Sequence, residues 1–80
     1  MKKQDITSRN RFLKEIGSKI SHRRNLLGIS QEELADKADL DRTYISGIER
    51  GKRNVSVFTL KKITDSLELK MKDFFNGNGK

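Results

Sequence analysis

The sequence contains no cysteine and no proline, and each absence excludes a class of structure. Without cysteine the chain has no disulfide bond and no thiolate ligand for a metal ion. Such a composition fits a reducing compartment, so we expect a cytoplasmic protein. Without proline no helix is kinked or ended by a pyrrolidine ring.

Long apolar runs are also missing. Lys2 and Lys3 are not followed by an apolar run, so we expect no signal peptide. No segment approaches the roughly 20 apolar residues that cross a bilayer, so we expect no membrane partner. Eighty residues predict one small domain, which buries only about 60–65% of the surface of its unfolded chain.

Residues that carry catalysis or hold cofactors are sparse. His22 is the only histidine, and no carboxylates cluster around it at ligand spacing, so we expect a solvated side chain. The pattern offers no nucleophile with a base and no paired catalytic carboxylates. We therefore predict no enzyme activity, no metal, no cofactor and no small-molecule ligand.

The formal net charge is +7, and it is unevenly distributed. Residues 1–29 carry a net charge of +6, residues 30–51 carry −3, and residues 52–80 carry +4. A positive balance favours nucleic acid as a partner, although it discriminates weakly by itself. Because the central segment is acidic, the basic residues that can meet phosphate groups flank it.

The central segment, residues 30–51, has the pattern of two short helices joined by a tight turn. Ser30 and Glu33 have the spacing of a capping box, Asp41 can cap the second helix, and Gly51 is placed to end it. Helices joined so tightly must cross steeply, with their apolar residues in the angle. This pattern predicts a helix-turn-helix, whose second helix enters the DNA major groove. The apolar positions are Leu34, Ala35, Ala38, Leu40, Ile45 and Ile48.

On these residues the sequence resembles the Cro/C1-type, or XRE-type, helix-turn-helix family of bacterial and phage regulators. The resemblance covers roughly residues 16–75. Within the family, the run LDRTYISGIERGKRN at residues 40–54 is most similar to the controller proteins of restriction–modification systems. The resemblance implies an all-α fold, a compact five-helix bundle of the lambda-repressor-like type, that binds double-stranded DNA.

The resemblance also implies roles for single residues. An arginine at the position of Arg24 pairs in the family with the glutamate found here as Glu49, so we expect a largely buried ion pair. The family uses the glutamine matching Gln31 to contact a phosphate. The family usually has glycine where this chain has Asp39, so we expect a strained, left-handed backbone there.

Three further helices are predicted around the motif. The first spans residues 11–27 and ends at Gly28, another spans residues 56–67 with Ser56 as its cap, and a short one starts near Lys70. We expect residues 1–10 and 76–80 to be flexible. Alternatively, the first segment is a basic arm on DNA, carried by Lys2, Lys3 and Arg9. The predicted inward stripes are Phe12, Leu13, Ile16, Ile20 and Leu27, then Val57, Leu60, Ile63 and Leu67.

The start of the second motif helix supplies the predicted base contacts. Arg42 can donate two hydrogen bonds to guanine O6 and N7. Thr43 and Ser46 lie on the same face of the helix. Gly47 has no side chain, so it would let the helix approach the groove closely; the alternative is that a glycine is merely tolerated there. A second set of residues is predicted to contact the phosphate backbone of DNA; the alternative is that they are simply exposed to solvent. These residues are Gln31, Tyr44, Arg50, Lys52, Arg53 and Asn54.

Aromatic residues near the C-terminus suggest a homodimer. Phe58 lies outside the inward stripe, and Met71, Phe74 and Phe75 follow on the last helix. A small domain has little core for them all, so we predict an apolar dimer interface; the alternative is that Phe74 and Phe75 close the core. A dimer would also gain specificity on a pseudo-palindromic operator, because a genome offers about 10⁶–10⁹ competing sites.

These features together predict a dimeric, sequence-specific transcriptional regulator, most similar to a restriction–modification controller. The alternatives within the family are a phage-like repressor and an antitoxin-type autorepressor. The alternative from a different class is a protein-interaction module that does not bind DNA and uses the phenylalanine-rich end of the bundle.

Overall fold

The computed structural model describes residues 3–75 of the chain, with side chains from Asp5 onward. It contains five helices and, within those residues, no strand. The predicted all-α, five-helix architecture is therefore confirmed, while the predicted flexible tail at residues 76–80 lies outside the described part. The helices are α1 (Lys3–Leu26), α2 (Gln31–Ala38), α3 (Arg42–Glu49), α4 (Val57–Ser66) and α5 (Met71–Phe74).

The predicted helix caps are all formed. Ser30 Oγ accepts a hydrogen bond from the Glu33 amide at 3.0 Å, and Glu33 Oε1 accepts one from the Ser30 amide at 2.8 Å, which completes the capping box. Asp41 accepts from the Thr43 amide at 2.9 Å, and Ser56 accepts from the Thr59 amide at 3.0 Å. These side chains satisfy amides that have no partner within their own helices.

The turn between α2 and α3 has the backbone that the sequence predicted. Asp39 adopts φ 56° and ψ 51°, in the left-handed region that glycine occupies more easily. The next residue, Leu40, donates its amide to Ala35 O at 2.8 Å and packs against the core. The turn therefore closes the end of α2 and directs the chain into α3.

A single apolar core holds the five helices together, with α3 packed against both α1 and α2. Each large side chain buried in this way contributes about 1.5–3 kcal/mol. The predicted apolar residues of the motif all lie in this core or against it, so they hold the angle between α2 and α3. The core consists of Ile16, Ile20, Leu34, Ala35, Ala38, Ile45, Ile48, Leu60, Ile63, Leu67 and Phe74.

The first helix is longer than the sequence predicted. It begins at Lys3 instead of residue 11, so the predicted start of the helix is wrong and residues 3–10 are helical. This segment contains neither glycine nor proline, and Asp5 in the first turn complements the helix dipole. The helix can therefore extend outward from the turns that Leu13 and Ile16 anchor in the protein interior.

Three predictions of burial were wrong. Phe12 is 54% exposed and Val57 is 74% exposed, although both were assigned to inward stripes. Phe12 lies beside the stripe that Leu13 and Ile16 form, and Val57 is the first residue of α4, at its outer end. Phe74, assigned to a dimer interface, is 3% exposed and closes the core; the alternative interpretation proposed this for both rings, but Phe75 is 46% exposed.

Candidate nucleic-acid interface

The N-terminus of α3 presents an exposed basic and polar surface. Arg42 and Thr43 are exposed, and Ser46, one turn later, is half-buried. Asp41 accepts hydrogen bonds from both the amide and the hydroxyl of Thr43. These bonds, the hydroxyl's first, hold the pKa of Asp41 below its ordinary value of 3.8, and the charge of Arg42 adds to the effect. The hydroxyl hydrogen of Thr43 is thus engaged, which leaves its methyl group and oxygen lone pairs for a base.

The predicted ion pair fixes the far end of α3. Arg24 donates from Nε to Glu49 Oε2 at 2.7 Å and from Nη2 to Glu49 Oε1 at 3.0 Å, and the two side chains are 13% and 6% exposed. Arg24 also donates to Ile29 O at 2.8 Å. The hydrogen bond to Glu49 raises the pKa of Arg24 above its ordinary value. The pair is therefore largely buried, as predicted, and it joins α1 to α3.

Gln31 belongs to the same network. Its Nε2 donates to Glu49 Oε1 at 3.0 Å, so the side-chain amide is hydrogen-bonded to α3. The second N–H of this amide can still contact a phosphate, as can the backbone amide of Gln31 at the N-terminus of α2. Side chains from α1 and α2 thus both bind Glu49, and these contacts fix the orientation of α3 relative to the other two helices.

Arg53 packs onto α3 in a way that the sequence did not predict. Its guanidinium carbon lies 5.5 Å from the centroid of the Tyr44 ring. A Cβ atom built on Gly47 would stand 2.7 Å from Arg53 Cγ, and Gly47 itself is buried. Arg53 therefore fills the space that the missing side chain leaves, so the predicted close approach of DNA at Gly47 would require the Arg53 side chain to move.

The other residues predicted to contact the DNA phosphate backbone lie around the C-terminal end of α3. Arg50 is exposed and donates from Nε to Ser46 O at 3.3 Å, and Lys52 and Asn54 are exposed in the loop that follows. Gly51 has a φ of 72°, and a Cβ there would stand 2.9 Å from the Cα of Lys14. The loop therefore lies directly on α1, and its basic residues extend the surface that begins at Arg42.

Gly17 is a positioning residue that the sequence analysis missed. It is buried, and a Cβ on it would lie 2.3 Å from the carbonyl oxygen of Ile48 and 2.5 Å from that of Glu49. The backbones of α1 and α3 are therefore in direct contact. A glycine inside a helical stripe of apolar residues is the one pattern that could have indicated such a crossing.

The residues predicted for the dimer interface are only partly available. Phe58 is 72% exposed and lies beneath Lys62, whose Nζ is 5.6 Å from the ring centroid. Phe75 is 46% exposed and meets the buried Phe74 edge-on, with 5.2 Å between ring centroids. Met71 is partly buried against the core. Phe58 and Phe75 are thus the aromatic rings in this set that remain for a partner.

The described side chains contain no group of three or more residues suited to a metal ion, and His22 is exposed. Within residues 3–75, none of the helices is long and apolar enough to cross a membrane.

Comparisons with known proteins identify the family. A family model described as helix-turn-helix matches residues 20–74, which include all of α2 to α5. This chain belongs to the XRE-type helix-turn-helix family. The match contains both helices of the motif and most of the core, so the family resemblance predicted from residues 30–51 is confirmed.

The curated proteins that resemble the chain include several control proteins. C.MunI of a Mycoplasma species is 46% identical over 54 residues, which cover 68% of this chain and 73% of the relative. C.BamHI of Bacillus amyloliquefaciens is 52% identical over 48 residues, which cover 60% of this chain and 59% of the relative. The predicted similarity to restriction–modification controllers is therefore confirmed.

Solved structures of such controllers share the fold. The restriction–modification controller C.AhdI from Aeromonas hydrophila superimposes with a TM-score of 0.79 at 37% identity, over 81% of this chain and 98% of that one. The C.Esp1396I tetramer, solved in complex with its natural 35 base-pair operator, gives a TM-score of 0.76 at 43% identity. That alignment covers 81% of this chain and 86% of the C.Esp1396I chain.

Proposed function

We propose that this protein is a sequence-specific DNA-binding transcriptional regulator that acts as the controller of a restriction–modification system. The observation that carries the proposal is the exposed N-terminus of α3, where Arg42 and Thr43 project from a helix held in place by the Arg24–Glu49 pair. A helix in the major groove presents its N-terminal residues to base edges. C.Esp1396I, a controller with the same fold, was solved bound to its operator.

Arg42 is the principal base contact in this proposal. Its guanidinium is exposed, and it can donate two parallel hydrogen bonds to guanine O6 and N7. Thr43 can place its methyl group against a thymine, and Ser46 can donate a hydrogen bond from the same face. The ion pair at the other end of the helix keeps these groups at a constant depth and angle, which is what base discrimination requires.

Phosphate contacts flank the recognition helix. Lys52 and Asn54 are exposed directly after α3, and Arg50, which precedes them in the chain, is exposed as well. The Arg53 guanidinium, held over Tyr44, adds a cation at the edge of the same face. The backbone amide of Gln31 can meet a phosphate on the opposite side of the groove. These contacts would fix the register of α3 without selecting sequence.

The protein acts as a homodimer in this proposal. One recognition helix contacts only a few base pairs, whereas two copies related by a two-fold axis contact a pseudo-palindrome with half-sites about one helical turn apart. Phe58 and Phe75 supply the exposed apolar surface, with Met71 at its edge. C.Esp1396I is a tetramer on its 35 base-pair operator, so further assembly on a long operator is consistent with this arrangement.

Regulation without catalysis or a cofactor follows from this proposal. The described chain is a single helical unit built around one core, and control would come from the protein concentration and from which operator sites are occupied. Because the operator is chromosomal or plasmid DNA, the protein would act in the cytoplasm.

Selection of binding sites from a random pool of duplexes tests the proposed function. The expected result is one enriched pseudo-palindrome whose half-sites lie about one helical turn apart. A pool that shows no enrichment after repeated rounds, while the protein remains folded, would contradict the proposal and favour a protein-interaction module. Sedimentation of the complex formed on the selected duplex would then count the bound copies.

A further inference from the structure

A basic cleft lies between α1 and the loop that follows α3. It has a volume of about 350 Å³. Four of the residues that line it are basic, namely Arg9, Arg11, Lys14 and Lys52, and none is acidic. All four are exposed.

Gly51 brings the two sides of the cleft together. The α1 backbone at Lys14 passes so close that a Cβ on Gly51 would stand 2.9 Å from the Lys14 Cα and 2.7 Å from its Cγ. Lys52, the next residue, is therefore held beside α1. Arg11 and Lys14 are three residues apart on that helix, so they project from the same side. The close packing of the Gly51 backbone on the α1 backbone therefore holds these cations near one another.

No described carboxylate forms an ion pair with these cations. Among residues 5–75 the ion pairs involve other side chains, Arg24 with Glu49 and Lys61 with Asp65. Like charges gathered around one cleft repel one another, and a bound polyanion would relieve that repulsion. The cleft therefore has the charge of a phosphate-binding surface.

We propose that this cleft binds the phosphate backbone of DNA just outside the half-site that α3 contacts. Lys52 belongs both to the cleft and to the backbone contacts at the end of α3, so the two surfaces are continuous. From Arg9 to Lys14 the helix rises about 7.5 Å, at about 1.5 Å per residue. A DNA strand carries one phosphate per about 3.4 Å of axis, so this length matches about two phosphates. The inference rests on the proposed function and extends its footprint.

The cleft is a property of this chain's long first helix. The family match begins at residue 20, so Arg9, Arg11 and Lys14 all precede it, and only Lys52 lies within the matched region. Of these three, only Arg9 lies in residues 1–10, which the sequence predicted as flexible or as a basic arm on DNA, whereas Arg11 and Lys14 lie in the predicted first helix.

Two duplexes and two pairs of substitutions test the proposal. One duplex ends at the outer edge of the selected operator, and the other carries about one further helical turn of DNA on each side. The variant R11Q/K14Q removes two cleft charges while glutamine keeps most of the stem that packs on Gly51. The control variant K70Q/K72Q removes the same charge from exposed positions at the start of α5.

The cleft variant should bind the long duplex about tenfold more weakly than wild type near physiological salt, whatever the flanking sequence. The slope of log K against log salt should decrease by about 0.9 for each lost phosphate contact. R11Q/K14Q should bind the short duplex with wild-type affinity, and K70Q/K72Q should bind both duplexes with wild-type affinity.

Unchanged affinity on the long duplex would overturn the proposal. If K70Q/K72Q loses as much affinity for the long duplex, the effect comes from net charge alone, which would overturn the proposal. If R11Q/K14Q loses as much affinity for the short duplex as for the long one, the contact lies inside the half-site, which would also overturn it. If R11Q/K14Q lowers the melting temperature, R9Q/R11Q replaces it, because that variant leaves Lys14 in place against Gly51. Wild-type protein that selects no site would instead refute the proposed function, and the cleft's role with it.

Discussion

Gly17 in α1 lies against the backbone of Ile48 in α3, so closely that a Cβ at Gly17 would be 2.3 Å from the Ile48 carbonyl oxygen. The two helices therefore cross without a side chain between them. This contact sets how near α3 lies to the body of the protein, and hence how far its opposite face projects toward DNA. The ion pair of Arg24 with Glu49 lies on the same pair of helices and fixes their angle.

Replacement of Gly17 by alanine should destabilise the fold. The added methyl group meets backbone atoms of α3, which cannot rotate away, and such overpacking costs about 1–3 kcal/mol. The melting temperature should fall by about 4–8 °C for each kcal/mol in a domain of this size. The matched control is Ser18→Ala at the neighbouring exposed position, which should leave stability unchanged or raise it. A Gly17→Ala variant as stable as wild type would disprove the backbone contact.

Replacing one partner of the Arg24–Glu49 ion pair should lower the free energy of unfolding more than replacing both. Arg24→Met leaves Glu49 largely buried with only Gln31 as a side-chain donor, and a buried charge without its partner costs about 3 kcal/mol. Replacing both residues with apolar ones of similar volume should cost less than the single change. The check is a double-mutant cycle of chemical unfolding at one fixed protein concentration. Additive effects would mean that the pair is not coupled.

Asp41 should make the stability of the protein depend on pH in the acid range. Its pKa in the folded chain lies below 3.8, because Thr43 donates to the ionised carboxylate. The ionised form therefore stabilises the fold above the unfolded-state pKa, and this contribution disappears as the pH falls through the folded-state value. Wild type should melt above Asp41→Ala near neutral pH, and the gap should narrow in acid, where the protonated carboxyl remains only a neutral acceptor for the cap.

The variant Asp41→Asn is the control for that experiment, because asparagine keeps an acceptor for the cap without the charge. Its advantage over Asp41→Ala should be independent of pH across the same range. A gap between wild type and Asp41→Ala that persists unchanged in strong acid would show that ionisation of Asp41 does not contribute.

Phe74 and Phe75 should respond differently to substitution although they are neighbours. Phe74→Ala removes a ring that is 3% exposed and should cost about 3–5 kcal/mol, enough to unfold much of so small a domain. Phe75→Asp alters a ring that is 46% exposed and should give a folded protein that no longer dimerises. Circular dichroism and analytical ultracentrifugation separate these outcomes. A fully dimeric Phe75→Asp protein would exclude this residue from the interface.

The features that the sequence predicted correctly depend on short stretches of chain. A cap such as Ser30 needs only the residues three positions away, whereas the left-handed turn at Asp39 was predicted from the glycine that the family usually has there. The pairing of Arg24 with Glu49 was available only through the family resemblance, because the two residues are distant in sequence.

The features that were missed depend on how the helices dock. Nothing local distinguishes Phe74, which enters the core, from Phe75, which does not. The stacking of Arg53 over Tyr44 requires the loop to fold back on α3, and the tight crossing at Gly17 requires α1 to meet α3 there. Residues 3–10 lack an apolar stripe because they extend a helix whose anchoring lies further along the chain.

The most direct test of the central claim measures the affinity of wild type and Arg42→Ala for the selected operator and for variants with each base pair of a half-site changed in turn. We predict that Arg42→Ala loses about 1–3 kcal/mol on the selected operator and no longer discriminates at one position per half-site, while it discriminates normally at the others. An equal loss on selected and random duplexes would make Arg42 a phosphate contact. That result would contradict the assignment of the α3 N-terminus as the element that recognises sequence.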